Sequence, residues 1–322
     1  MLAYEHAMKG LTDVPGILVG HVTDHDAITG CTVVLCGSEA VGGVDVRGSA
    51  TGSVELDALN PGHVAPHVHA IILAGGSAFG LEASAGVRRA LEKRGVGFDT
   101  GFGIVPIVPG GILFDLPISK PGVRPDREMG EKAVAAASPD AVAEGNVGAG
   151  TGATVGKIFG MKQAMKSGVG SASLTLGSGV MVAAMVVVNA LGDVIDPETG
   201  KVVAGARKSP DSREFVNSAA AMRHGVVGPA FRGNTTLAVI ATNARLDRVQ
   251  INKVAALASL GVARTISPVN TMADGDMTFA ISIGAESASV DAVGVAAAEA
   301  LAIAVLRAVR AAETLGGIPG LG

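Results

Sequence analysis

A chain of 322 residues with 25 Lys and Arg against 29 Asp and Glu has a formal charge of −4 and no long basic run. That excludes a nucleic-acid partner, which needs a phosphate-neutralising footprint. The 46 glycines follow no third-residue period and 48 % of the chain is apolar, which excludes collagen and disorder.

The length allows one large domain or two small ones. With no Trp and one Tyr, Tyr4, the core must be filled by aliphatic side chains and by closely packed Ala and Gly. Met1–His6 contains no apolar run of the signal-peptide kind, and the apolar stretch Val180–Val188 is too short to span a bilayer. The expectation is a soluble cytoplasmic protein with no membrane partner.

In chain order, Asp13-Val14-Pro15-Gly16 supplies a turn before a short strand ending near Val22. Thr32–Leu35 is a second, short strand. Cys31 and Cys36 stand five apart on it, hence on opposite faces, as buried fillers rather than a disulfide or metal pair. Val44–Gly52 is a small-residue loop lacking both phosphate-binding signatures, and reads as a loop on the substrate side. Ala70–Ala74 is an apolar strand covered on both faces. Gly75-Gly76-Ser77 turns it into a helix through Lys93, with Ser77 as N-cap. The amides of that first turn can bind an anion or polarise a carbonyl, or the corner is an ordinary one.

Pro106 and Pro109 make Val105–Phe114 irregular, ending in a short strand, and Arg127–Ala137 is a helix. Glu144–Lys157 then packs five glycines into fourteen positions. Such a backbone suits special dihedrals or close approach, and Gly148, Gly150 and Thr151 are candidate substrate-cradling residues. Lys157 at its end is a candidate for a cleft, where desolvation would lower its pKa.

Gly168–Leu176 and Met181–Val188 are consecutive strands, and Asn189 at the mouth of the second offers an Asx turn or an amide donor. Asp193–Val227 reads as a long exposed linker with a short helix at 212–222. It leads into Phe231–Asn243, a glycine turn, two hydroxyl residues and a buried strand, with Thr235 and Thr236 at the strand's mouth. Asp247 caps a helix carrying Ile251, Val254, Ala255 and Ala258 on one face. Asp274-Gly275-Asp276 precedes a strand from Met277 to Ile283. Its carboxylates suit a solvated turn, an acid and acceptor pair, or, weakly, a cation; no metal site is assigned. Asp291–Ala311 is a long Ala-rich helix, buried between layers or subunits.

Taken together, Ala74–Glu82, Gly145–Gly152, the Gly-Asn-Thr-Thr segment at 233–236 and Asp274-Gly275-Asp276 with Phe279-Ala280 resemble the P1 family of peptidases. This family holds the self-processing L-aminopeptidase/D-esterase, the β-peptidyl aminopeptidases and the nylon-oligomer endo-hydrolase. The resemblance covers nearly the whole chain. It implies a single catalytic domain over 1–322, a layered α/β/β/α arrangement of central sheets flanked by helices, no cofactor, and a homo-oligomer, a tetramer of cleaved protomers. It also implies cleavage between Asn234 and Thr235 into an α chain, 1–234, and a β chain, 235–322, with Thr235 as the new N-terminal nucleophile. Thr after Asn is similar to the nylon-oligomer branch, whereas the aminopeptidase branch uses Ser after Gly. By the same matching, Lys157 and Asn189 resemble that branch's active-site Lys and Asn, and Asp274 and Asp276 its carboxylate pair. The tyrosine of characterised members has no clear match; Phe114 is a candidate for its place.

The chemistry has a physical rationale. A threonine hydroxyl is a poor nucleophile at neutral pH, but an N-terminal Thr carries its own base, an α-amine of reference pKa about 7.7–8.0. In that scheme Asn189 donates to the oxyanion, Lys157 keeps the amine neutral, and Asp274 and Asp276 accept from the Thr235 amine and hydroxyl. Thr236, on the other face, is structural. The expected substrate is a small peptide or amide. Two other readings are acyl transfer of the ornithine-acetyltransferase kind and a non-catalytic oligomeric binding protein.

Overall fold

The computed structural model describes residues 9–177, 179–226 and 233–322. Val227, Phe231 and Arg232, which fall within segments singled out above, lie outside them. The principal strands are β1 (Leu18–Asp24), β2 (Thr29–Val46), β3 (Val68–Ala74), β4 (Gly110–Ile112), β5 (Val169–Thr175), β6 (Met181–Asn189), β7 (Thr235–Ala244) and β8 (Met277–Glu286). The principal helices are α1 (Glu82–Lys93), α2 (Arg127–Ala136), α3 (Arg248–Thr265) and α4 (Val290–Arg310).

The strands run in the order β5-β6-β7-β8-β2-β3-β4, with Ser53–Val54 at the edge and β1 also paired to β2. β2 is the joint. Its first part pairs with β1 and β3, its last part, Val41–Val46, with β8, and its register against β3 shifts between Leu35 and Ala40. One continuous strand thus belongs to two sheet halves that face each other. The short strand expected at Thr32–Leu35 is 18 residues long.

Alternation explains the runs buried on both faces. Along β6, Ala184, Val186 and Val188 meet α3 and α4, while Ala183, Met185 and Val187 face the other sheet half. On the far side Val33, Leu35, Ala70 and Ile72 meet Val87 and Leu91 of α1 and Val134 of α2. The result is four layers, helices–sheet–sheet–helices, around three apolar clusters. Cys31 and Cys36 are buried free thiols in different clusters, on opposite faces of β2.

α4 is long and apolar enough to cross a bilayer, yet 67 % of its most apolar stretch is buried within the domain. It is a core helix. Its alanines let it lie close on β5: a Cβ at Gly170 would stand 2.1 Å from the Ala304 carbonyl oxygen. α3 begins as expected, with Asp247 and Gln250 forming a reciprocal capping box.

Two further expectations fail. Ser77 caps nothing: it lies in a 3-10 turn before α1 with φ 55, and no side-chain cap bond forms. Its amide and that of Gly76 are used inside the protein, on Leu113 O at 2.9 Å and Asp115 Oδ1 at 2.7 Å. The Asp193–Val227 linker is partly built structure. Asp193–Ile195, Val202–Ala204 and Ile266–Ser267 form a small sheet, and the helix is Ser218–Arg223. Asp193 is buried because its carboxylate accepts from Ala206 N, Ser218 N and the Ser218 hydroxyl.

Candidate active site

Three strand ends meet at one edge of the sheet. β7 and β8 are parallel and joined through α3, so their first residues emerge together. β6 is antiparallel to β7, which sets its last residue, Asn189, opposite Thr235. The Asp274–Asp276 turn precedes β8 and bridges to Asn234. Thr235, Asn189, Asp274, Asp276 and Lys157 are all buried.

Lys157 reaches this edge because the amides of Gly156 and Lys157 donate to the carbonyls of Gly192 and Leu191, just past β6. Its Nζ donates to Asn189 Oδ1 at 2.7 Å and to Asn189 O at 2.9 Å. The Thr154 amide, which can only donate, also reaches Asn189 Oδ1 at 3.2 Å, and this fixes the Asn189 amide with oxygen toward Lys157. Asn189 Nδ2 then donates to Phe114 O at 3.2 Å.

The carbonyl of Asn234 is held from two sides. Thr235 Oγ1 donates to it at 2.6 Å and the Gly275 amide at 2.7 Å. Gly275 is required there, because a Cβ would lie 2.9 Å from Thr235 Oγ1 and 2.7 Å from Ala50 O. In this uncleaved chain the side-chain hydrogen bonds of the two aspartates go to residues other than Thr235. Asp276 accepts from Thr236 N at 2.6 Å and Asn270 N at 3.1 Å. Asp274 accepts from the amide and hydroxyl of Thr271. The loop after β2, read above as lying on the substrate side, braces this turn: Arg47 N and Gly48 N donate to Asp276 O, and Ala50 N to Asp274 O.

Burial draws the Lys157 ammonium down to about 7, against the opposing pull of Asp274 and Asp276. Burial, and then the charge of Asp274, pushes the Asp276 carboxyl up to about 7. Both groups therefore exchange protons near neutrality, the range general acid–base chemistry uses.

A cavity of about 210 Å³ opens beside Asn234, with apolar walls from Phe114, Pro117, Ile118, Met161 and Leu191 and with Gly152, Thr154 and Lys157 at one side. Of the glycine-rich segment, Gly148, Gly150 and Thr151 are absent from this wall. They form a buried 3-10 turn whose glycines pack against Thr32 and Val169. Ser77 is likewise outside the wall.

Sequence reasoning missed three participants. Gly275 acts through a backbone amide, which leaves no side-chain signal. Asp115 lines the cavity, held by Thr29 Oγ1 and Gly76 N at 2.7 Å each, and burial raises its pKa. Lys166 is wholly buried and donates to the carbonyls of Thr151, Ala153 and Ser167. Nothing local separates it from a surface lysine.

Known proteins share this architecture. A β-aminopeptidase from Burkholderia sp. superposes with TM-score 0.70 at 23 % identity, covering 100 % of this chain and 93 % of that one. The L-aminopeptidase D-Ala-esterase/amidase from Ochrobactrum anthropi, described as a variant of the Ntn-hydrolase fold, superposes with TM-score 0.71 at 18 % identity, covering 99 % and 91 %. In sequence, an uncharacterized aminopeptidase of Mycobacterium tuberculosis is 44 % identical over 97 % of this chain and 96 % of its own length. The 6-aminohexanoate-oligomer endohydrolase of Paenarthrobacter ureafaciens is 33 % identical over 92 % and 84 %. The model of Peptidase family S58 matches residues 9–321. A match of that extent, on a fold shared with the Ntn hydrolases, makes this chain a member of Peptidase family S58, a hydrolase of amide bonds.

Proposed function

We propose that this protein is a self-processing N-terminal-threonine hydrolase that cuts its own Asn234–Thr235 bond and then cleaves small peptides or oligoamides through an acyl-enzyme. One observation carries the reading. In the uncleaved chain the Thr235 hydroxyl lies 2.6 Å from the carbonyl oxygen of Asn234, and the Gly275 amide donates to that same oxygen. The hydroxyl thus stands beside the bond it would attack, and the Gly275 amide is a donor already aimed where negative charge develops in the tetrahedral intermediate.

Self-cleavage begins with attack of Thr235 Oγ1 on the Asn234 carbonyl carbon. The C–N bond to Thr235 breaks, and the hydroxyl proton ends on the Thr235 nitrogen. Water then hydrolyses the ester, leaving a carboxylate on Asn234 and a free amine and hydroxyl on Thr235. In the mature enzyme that amine takes the hydroxyl proton during attack on an external amide. The Gly275 amide, released from Asn234, and the second N–H of Asn189 Nδ2 receive the substrate's oxyanion. Lys157 holds Asn189 in the required orientation, and Asp276 orients the start of β7 through Thr236 N.

The apolar walls of the cavity suit an aliphatic acyl segment. The names of the two relatives, an aminopeptidase and a 6-aminohexanoate-oligomer endohydrolase, bracket the substrate class. Our reading also places the cleaved protomers in a cytoplasmic homo-oligomer. Val249, Leu260 and Val295 on α3 and α4 are exposed apolar side chains available to such an assembly.

The test is the intact mass of the denatured protein and of Thr235→Ala. Wild type should give two fragments, beginning at Met1 and Thr235, and the variant one inactive full-length chain. Normal fragments from T235A would remove Thr235 from the mechanism.

A further inference from the structure

We propose that Ile118 and Met161 frame a passage from the inner cavity to a second, outer subsite, so that the enzyme cuts internal bonds of an oligoamide and needs no free amine beside the scissile bond. This rests on the Thr235 reading and narrows its substrate class.

The cavity beside Asn234, at about 210 Å³, is smaller than the roughly 300–1,000 Å³ of common ligand sites. Its apolar wall is shared. Pro117, Ile118 and Met161 also line an adjoining cleft of about 670 Å³. Ile118 and Met161 are half-buried, so their side chains border both spaces without being locked in the core. Gly316–Pro319 supply another wall of the outer cleft. That wall is held in place: Leu315 and Ile318 exchange two backbone hydrogen bonds of 3.1 Å, and Lys166 N donates to Pro319 O at 2.8 Å.

The inner cavity offers no unengaged carboxylate to a substrate ammonium. Asp115 and Lys157 are the ionisable side chains among the described residues on its wall. Lys157 is itself a donor. Asp115 is 1 % exposed, and its two oxygens accept from Thr29 Oγ1 and Gly76 N at 2.7 Å each. An enzyme that grips its substrate by a free amine one residue from the scissile bond needs an acceptor of that charge turned into the cavity.

The direction follows from the uncleaved chain. Gly233 and Asn234, the acyl side of the bond to be cut, line the inner cavity. That bond is itself internal, and its acyl part is a polypeptide without an adjacent free amine. An external acyl chain on the same track passes Ile118 and Met161 into the outer cleft.

The probes are the p-nitroanilides of one, two and three 6-aminohexanoyl units, each with its terminal amine free or acetylated. In self-cleaved wild type, kcat/KM for p-nitroaniline release should rise at least about tenfold from one unit to two, as the second unit enters the outer cleft. Acetylating the two-unit probe should change it by no more than about twofold. Equal kcat/KM at every length, or loss of hydrolysis on acetylation, overturns the inference and leaves Thr235 untouched. The passage is tested with Met161→Cys and, separately, Ile118→Cys, each alkylated with N-phenylmaleimide after self-cleavage; the two native cysteines are buried. Labelling should abolish the gain with length in the same preparation that showed it beforehand. A gain that survives labelling undiminished overturns the assignment to Ile118 and Met161. Absence of both self-cleavage and anilide hydrolysis in wild type overturns the Thr235 reading itself, and the inference with it.

Discussion

Two buried lysines sit nine residues apart in sequence, Lys157 and Lys166, and burial draws both down to about 7. Their surroundings differ. Lys157 lines the cavity, holds both oxygens of Asn189 and feels Asp274 and Asp276. Lys166 donates only to backbone carbonyls and feels Asp115. It ties the glycine-rich segment together. A shifted pKa reports burial; what the charged atom faces decides whether it serves chemistry or architecture.

The largest expected effect separates the two directly. Lys157→Met should slow self-cleavage by about a hundredfold, the scale of losing one ordered donor system at an oxyanion site. Mass spectrometry against time measures it, and processing at the wild-type rate would place Lys157 outside the machinery.

A smaller effect is expected at the other lysine. Lys166→Met, made in the unprocessable T235A background, should lower stability by about 1–3 kcal/mol, because it leaves buried carbonyls without a donor. Urea unfolding measures this. In the processable background K166M should keep self-cleavage near the wild-type rate; slowing equal to that of K157M would merge the two lysines into one network.

A further expectation is a pH slope. Each lysine is protonated in the unfolded chain up to its ordinary 10.5 and loses its proton near 7 when folded. Between those limits the unfolded state binds more protons, so stability should rise with pH. Asp276 acts oppositely below that range. Raised from 3.8 to about 7, it holds a proton when folded that it lacks unfolded, so its contribution falls as pH climbs to 7. Unfolding midpoints of T235A should therefore increase from pH 7 to 9, and K166M should flatten the rise. An unchanged slope in K166M would mean that Lys166 keeps its charge in the folded protein.

Much of this was legible in the sequence. The buried runs at Ala70–Ala74 and Val182–Val188, the cap at Asp247 and the opposed cysteines follow from side-chain period and local hydrogen bonding, which need no distant partner. The length of β2 was not. The strand was expected only over Thr32–Leu35, yet it runs on through Gly43, where a Cβ would strike the backbone of Asn252 and the glycine lets α3 approach. Nor were the buried roles of Asp115, Asp193 and Lys166, whose partners lie on other elements.

The sequence by itself determined which residues stand at strand mouths: Asn189, Thr235 and Asp276 border apolar runs that can only be strands. The tertiary structure decided that these mouths share one edge. That depends on β7 lying parallel to β8 and antiparallel to β6, a register set by contacts between segments far apart in the chain. It also decided that the donor facing Asn234 is the amide of Gly275, a group every residue but proline possesses and that only position can single out.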